Sequence, residues 1–192
     1  MPEALGPKLR RFAASHLEGR VVRDPAHLNR LSRDMGMYRI PPRAAVAIRS
    51  AADLQAMVRF AREERVPLIA RGGGSNTGGT AIGDGILILF SEADGLQGIS
   101  RLNDADSDAQ EDSHEDAYVR VGAAVRHDHL QRALAERGRM LPSDPSSGPL
   151  SLIGGNVATK ASGAHAFKYG AIDRYIVALE AVMSDGSVLT PR

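Results

Sequence analysis

Glycine is clustered twice in this chain, and the two clusters constrain its fold more than anything else in it. The first is Ala70-Arg71-Gly72-Gly73-Gly74-Ser75-Asn76-Thr77-Gly78-Gly79-Thr80, directly after the apolar run Val66 to Ile69. The second, about eighty residues later, runs from Asp144-Pro145-Ser146-Ser147 into Ile153-Gly154-Gly155-Asn156-Val157-Ala158-Thr159. Glycine lacks a Cβ and tolerates φ > 0, so such a loop can turn sharply and bring backbone N–H groups close to a ligand. Consecutive N–H groups pointing one way form a nest for an anion such as a phosphate. Two such loops in one modest chain imply a long ligand held at several points. A glycine-rich surface turn is the plain alternative for either loop taken singly.

Composition narrows the classes. The 192 residues suffice for one domain with a sizeable core, built as one body or two lobes. With 24 basic and 23 acidic residues, no overall field draws the chain to nucleic acid or a membrane, so anion recognition must be local. Tryptophan is absent and no basic run is interleaved with aromatics, so a single-strand stacking platform is not expected. Cysteine is absent, which excludes disulfides, thiolate zinc sites, iron–sulfur ligation and cysteinyl links to a cofactor within these residues. The N-terminus lacks a signal-peptide layout and the apolar runs are too short to span a bilayer, so a cytoplasmic protein without membrane insertion is expected.

Periodicity divides the chain. Residues 8–40 read as a helical lead-in, with Leu9, Phe12, Ala13 and Leu17 at helical spacing, until Pro41-Pro42 starts an extended segment. Ala44 to Ile48 is a strand candidate. Ser50-Ala51-Ala52-Asp53 reads as a capping box, Asp53 reaching back to the Ser50 N–H, before a helix presenting Leu54, Met57, Val58 and Ala61. Val66 to Ala70 and the apolar Ile86 to Phe90 complete a small parallel or mixed sheet, the latter strand covered on both faces. Leu102 to Asp116 carries Asp104, Asp106, Asp108, Glu111, Asp112, Glu115 and Asp116. It reads as a solvated hairpin tip rather than a calcium loop, whose ordered carboxylate layout it lacks. Ala117 to Val121 is the next strand. Arg126 to Arg137 is a helix burying Leu130, Ala133 and Leu134, with Gly138 as its stop. Tyr175 to Met183 and Ser187 to Thr190 flank the Asp185-Gly186 hairpin signal.

The motifs are not those of the common nucleotide folds. G-x-G-x-x-G from Gly72 needs glycine where Thr77 stands, and a P-loop needs a lysine that Gly79 or Thr80 replaces. Arg71, Ser75, Asn76 and Thr77 add a guanidinium and polar donors to the backbone nest, the equipment of a diphosphate site. The Pro142-Ser143-Asp144-Pro145 stretch is stiff and extended, and Ser146-Ser147 adds two hydroxyls. Gly154-Gly155-Asn156 opens a short helix through Thr159, its first N–H groups free for an electron-rich group.

This combination, with Lys168-Tyr169-Gly170 and Asp173, resembles the FAD-binding domain of the vanillyl-alcohol oxidase/p-cresol methylhydroxylase superfamily, nearest to its FAD-linked glycolate oxidase and D-lactate dehydrogenase branch. The resemblance runs from about Pro42 to the end. It implies an α+β, two-lobed domain: a small mixed β-α-β lobe over about 42–93, and a larger lobe with an antiparallel sheet over about 94–192. The segment 1–41 is the lead-in. It implies FAD between the lobes, with Gly72 to Gly78 around the pyrophosphate. Pro145, Ser146, Ser147, Gly154, Gly155, Asn156 and Thr159 would line the ribityl chain and flavin, and Gly163, Tyr169 and Gly170 would complete the wall. Covalently flavinylated members carry a histidine, often in the first loop, where this chain has Ser75 and Asn76; with cysteine absent as well, non-covalent FAD is expected.

Family members continue beyond a point matching Arg192, so the chain is expected to be a C-terminally truncated piece of a flavin-dependent oxidoreductase. The resemblance assigns the whole enzyme oxidation of a 2-hydroxy acid by hydride transfer to flavin N5. The small-molecule substrate would bind through the missing part, and an electron acceptor would reoxidise the flavin. The catalytic residues are not identified, and the piece alone is expected to be inactive. Three rivals stay open: a FAD-binding electron-transfer subunit, an NADPH-dependent reductase sharing the fold, and a cofactor-free interaction module. No metal is expected, because His127 and His129 fall on different faces of one helix. His165 lies near the second glycine segment, where a surface or structural place suits it best.

Overall fold

The computed structural model describes residues 4–100 and 118–190. The lead-in is not one helix. Helix α1 (Leu5–His16) buries Leu9 and Ala13, then Leu17 turns extended. Strand β1 (Arg20–Val21) follows, and helix α2 (Pro25–Leu31) starts anew with Asp24 capping the N–H groups of Ala26 and His27. Proline at the first helical position suits this restart, since its missing N–H needs no partner there. The turn between α1 and β1 needs Gly19, because a Cβ there would overlap the Ala47 carbonyl oxygen.

Ala44-Ala45-Val46-Ala47 and Ile86-Leu87-Ile88-Leu89 have no polar alternation and must be covered on both faces. They form the fully buried strands β2 (Ala44–Ala47) and β4 (Ile86–Leu89). Between them come helix α3 (Ala51–Glu64) and strand β3 (Leu68–Arg71). The sheet order is β1-β2-β4-β3, with β2, β4 and β3 parallel and β1 antiparallel to β2. On one face Val46, Ile48, Ile86 and Ile88 pack with Leu9, Met57 and Phe60. On the other, Ala45, Ala47, Leu87 and Leu89 pack with Val22 and Leu31. β3 begins two residues later than the apolar run, since Val66 donates its N–H to Ala61 O at 2.9 Å and so closes α3.

Half of the expected capping box forms. Ser50 accepts from Asp53 N at 3.3 Å, but the Asp53 carboxylate does not return to Ser50. It accepts instead from the N–H groups of Glu18, Gly19 and Arg49, each at 2.9 Å. A buried carboxylate with three donors nearby outweighs the local cap.

In the second half the acidic run Leu102–Asp116 lies outside the described residues. The two segments flanking it pair antiparallel: Ser100 N donates to Arg120 O, Gly122 N to Gly98 O, and Ile99 bridges Val121. Of the strand expected over 117–121, the described residues form only this bridged ribbon. Helix α4 (His127–Ala135) buries His127, Leu130 and Leu134, while Ala133 is half-buried. Gly138 takes φ +66° just beyond its end. Leu130 and Leu134 join Val125 and Ile153 in a third apolar cluster. Helices α5 (Ile153–Ala158) and α6 (Ala166–Tyr169) are short, and a 3₁₀ turn covers Ile172–Tyr175. The strand expected over 175–183 shrinks to β5 (Ala181–Val182), paired antiparallel with β6 (Val188–Leu189). Gly186, at φ +84°, turns this hairpin, and its carbonyl accepts from Gln55 of α3 at 2.8 Å. Among the described residues no helix is long and apolar enough to cross a membrane.

Candidate functional site

The first glycine loop leaves β3 at Arg71. The Arg71 guanidinium points inward, donating to Ala81 O and Arg33 O, both at 2.9 Å, and to Leu31 O at 3.4 Å. Burial lowers its pKa from the ordinary value, and the charge of Asp34 partly offsets that. Arg71 therefore shapes the loop from behind, where the sequence suggested a donor facing an anion. Gly74, at φ +69°, arches over this side chain, and a Cβ there would overlap its terminal nitrogen. Asn76 also acts on the loop itself, its Oδ1 accepting from Gly78 N at 2.7 Å and Thr80 N at 3.3 Å. Among the described residues, the N–H groups of Gly73, Gly74, Ser75, Asn76 and Thr77 have no protein acceptor. The Ser75 and Thr77 hydroxyls are uncommitted as well. Such a run of donors beside a positive-φ residue can receive a diphosphate.

The second segment meets the first directly. A Cβ on Gly73 would overlap the Leu150 carbonyl oxygen, and one on Gly72 would lie 3.5 Å from the Leu152 side chain. Gly73 is thus required by backbone packing between the two segments. Gly163 is required likewise, since its Cβ would overlap Asp144 O, and Gly154 packs on Ala123, whose Cβ a side chain there would meet at 2.8 Å. Only part of the α5 entrance is free. Ile153 N donates to Val125 O at 2.8 Å and Gly154 N to Ala123 O at 2.9 Å, leaving the Gly155 N–H open. Nothing lies within 4 Å of the space a Gly155 Cβ would fill.

Asn156 departs from the expected cofactor role. It is buried, and its amide lies 3.2 Å from His127 Nδ1. Thr159 bonds back to Gly155 O at 2.8 Å, as a helix threonine does. Pro145 O accepts from Gly148 N at 2.8 Å in a tight turn, while the hydroxyls of Ser146 and Ser147 have no partner among the described residues. Tyr169 is half-buried, its carbonyl accepting from Tyr175 Oη at 2.8 Å, with the Lys168 ammonium 4.8 Å from its ring centre. Gly170 takes φ +79° against Arg174. His165 is exposed, and His129 is exposed on the face of α4 opposite the buried His127.

Two features escaped the sequence reading. The 33–40 loop flanks the first glycine loop: Met35 N donates to Asn76 O at 3.1 Å, and Tyr38 stands 3.5 Å from the Cβ position of Gly79. No local pattern announces that contact. His127 was weighed only against a metal, although it shares the α4 face of Leu130 and Leu134, which marks it as inward-pointing.

A backbone donor row, two free serines and an open Gly155 suit a phosphate-bearing cofactor with a polar chain. The profile of the FAD binding domain matches residues 42–191. The chain belongs to this family. FAD is its cofactor, and the resident residues fit the group: a run of N–H donors without protein acceptors suits a diphosphate, and the space beside Gly155 is open.

Among curated proteins, this FAD-binding domain is 29% identical to glycolate oxidase subunit GlcD of Bacillus subtilis over 79% of its own length and 30% of the relative's. It is 30% identical to D-2-hydroxyglutarate dehydrogenase of Escherichia coli over 83% of its length and 15% of the relative's. It is 29% identical to D-lactate dehydrogenase of Archaeoglobus fulgidus over 78% of its length and 32% of the relative's. The chain thus spans a third or less of these relatives. Among solved structures, alkyldihydroxyacetonephosphate synthase superposes with a TM-score of 0.77 at 20% identity, covering 100% of this chain and 35% of that one. The 6-hydroxy-D-nicotine oxidase of Arthrobacter nicotinovorans gives 0.72 at 22%, covering 91% and 36%. These likenesses establish the fold.

Proposed function

We propose that the full-length protein holds FAD non-covalently and oxidises a 2-hydroxy acid. The observation that carries the cofactor reading is the free donor row of Gly73 to Thr77, locked by Gly73 against Leu150 beside the free hydroxyls of Ser146 and Ser147. In this reading the donor row takes the diphosphate, and Ser146, Ser147 and the Gly155 N–H meet the ribityl chain and flavin. Ser75 and Asn76 are not nucleophiles for a flavin link, and the chain has no cysteine, which supports a non-covalent cofactor. When bound, FAD supplies a two-electron acceptor at N5: the substrate α-hydrogen leaves as hydride, its hydroxyl proton goes to a base, and a 2-oxo acid results. An external acceptor then takes the two electrons. The share of these residues is to bind, orient and surround the cofactor. The 2-hydroxy acid class is supported by relatives named for glycolate, D-lactate and D-2-hydroxyglutarate.

The test is heat release of the chromophore from full-length protein, followed by chromatography against FAD and FMN standards. FAD in the supernatant, with dye reduction by glycolate, lactate or 2-hydroxyglutarate, is expected. FMN, or flavin that stays with the precipitated chain, overturns the cofactor reading; FAD without turnover of any 2-hydroxy acid overturns the substrate class.

A further inference from the structure

His127 is 1% exposed at the start of α4, and it stands between the two second-half segments read above as cofactor-facing. Its Nδ1 lies 3.2 Å from Asn156 Nδ2, on the Gly154-Gly155-Asn156 helix. Its Nε2 has no hydrogen-bond partner among the described residues and lies 3.9 Å from Asp144 Oδ1, on the Asp144-Pro145-Ser146-Ser147 segment. Around it opens a cleft of about 530 Å³, lined also by Asp128, Gln131, Arg132, Asp144 and Ser146. Backbone bonds tie the same three elements together: His127 N donates to Ser151 O at 3.0 Å and Asp128 N to Gly148 O at 3.2 Å.

The tautomer follows from the surroundings. A carboxylate facing Nε2 favours the proton on that nitrogen, which leaves Nδ1 as an acceptor for the Asn156 amide. Burying a polar ring with one nitrogen short of a partner has a cost that an apolar side chain at this position would not carry. The ring therefore does something besides filling the core.

We propose that His127 is a positioning residue for the flavin, its neutral ring fixing the Gly154–Asn156 helix relative to the Asp144–Ser147 segment and so aligning the donors that both offer to FAD. This inference rests on the reading of those segments as the cofactor wall. The charged groups around the ring are Asp144 from the facing loop, Asp128 and Arg132 from α4, and Arg126 just before it; α5 contributes only the neutral Asn156. Burial lowers the imidazole pKa from its ordinary value, with Asp144 and then Asp128 pulling the other way. The sign follows. A depressed folded-state value keeps the ring neutral at neutral pH. The stability it confers is whole above the ordinary histidine value, about 6.5, and falls as pH drops from there towards the lower folded-state value; the alignment is lost only as pH falls through that lower value. Protonation puts a hydrogen on Nδ1 and removes the acceptor that Asn156 uses.

The test uses full-length protein stripped of flavin and titrated with FAD at about pH 7.5 and at the most acidic pH at which the flavin-free protein remains folded. Parent affinity is expected to fall a few-fold to about tenfold at the acid point, one neutral hydrogen bond being of that size. His127→Gln, uncharged at both values and able to meet both neighbours, should bind within a few-fold of the parent at neutral pH and lose that acid response. His127→Leu should bind roughly tenfold more weakly at both values, with the visible circular dichroism of its bound flavin altered. A parent-like acid response in His127→Gln overturns the proposal, as does parent-like affinity in His127→Leu. A double Ser146→Ala, Ser147→Ala variant separates the two readings. If it weakens FAD binding while the His127 variants do not, positioning fails and the site stands. If it leaves binding unchanged, the cofactor wall itself is misread and the proposal falls with it.

Discussion

Gly73 and Gly155 are both glycines of the candidate site, yet they are glycines for opposite reasons. A Cβ on Gly73 would overlap the Leu150 carbonyl oxygen, whereas the space beside Gly155 is empty to 4 Å. Gly73→Ala therefore forces two backbone segments apart, and a cost of about 1–3 kcal/mol in stability, with FAD affinity falling alongside, is expected. Gly155→Ala sits inside α5, where alanine is favoured, so flavin-free protein should be unchanged or gain up to about 1 kcal/mol. Its FAD affinity should nevertheless drop roughly tenfold or more, since the methyl stands where the Gly155 N–H would meet the cofactor. Urea unfolding of the flavin-free proteins and FAD titration give both readings. Gly155→Ala with parent-like affinity would take α5 out of the site. Glycine content was plain in the sequence, but which glycine serves packing and which serves a ligand was not, because the deciding atoms are those of Leu150 and Ala123.

Elements here were readable where a strong local pattern met no competitor. Ile86–Leu89 is apolar throughout and is a buried central strand; the Asp185-Gly186 turn makes its hairpin. The lead-in failed for a tertiary reason. Asp53, 2% exposed at the start of α3, takes the N–H groups of Glu18, Gly19 and Arg49, and so pins the chain between α1 and β1 to the end of β2. Asp53→Ala leaves three part-buried N–H donors without their acceptor. At about 0.5–1.5 kcal/mol for each lost bond, the protein should lose about 2–4 kcal/mol, measured by urea unfolding. A loss below about 1 kcal/mol would mean that the Ser50 cap, not this junction, is what Asp53 serves. Asp53→Asn, which keeps one carbonyl oxygen, should recover part of the loss. The helical spacing of Leu9 and Ala13 predicted α1 itself correctly, but nothing within residues 17–25 foretold a carboxylate 34 residues on from Gly19.

At the scale of the molecule, two packed halves bring the glycine loops together, and the chain spans 15% to 32% of the curated relatives described above. Oxidation of a 2-hydroxy acid needs the substrate C–H held against the flavin with a base in reach, and small misplacements cost about a hundredfold. The only buried histidine among the described residues faces Asn156 and Asp144 and is placed here as a positioning group. Residues 1–192 expressed alone should therefore reduce dye with lactate or glycolate at least about a hundredfold more slowly than the full-length protein. Steady turnover near the full-length rate would put the catalytic groups within this chain. The family and its cofactor were determined by sequence, because glycine loops, prolines and paired serines are local motifs whose chemistry survives any surrounding fold. Which side chains of those segments face inward was decided only by tertiary structure. Arg71 turns to the carbonyls of Leu31, Arg33 and Ala81, and Asn156 to His127, because a buried polar group takes the nearest partner in space, and those partners lie 10 to 40 residues away along the chain.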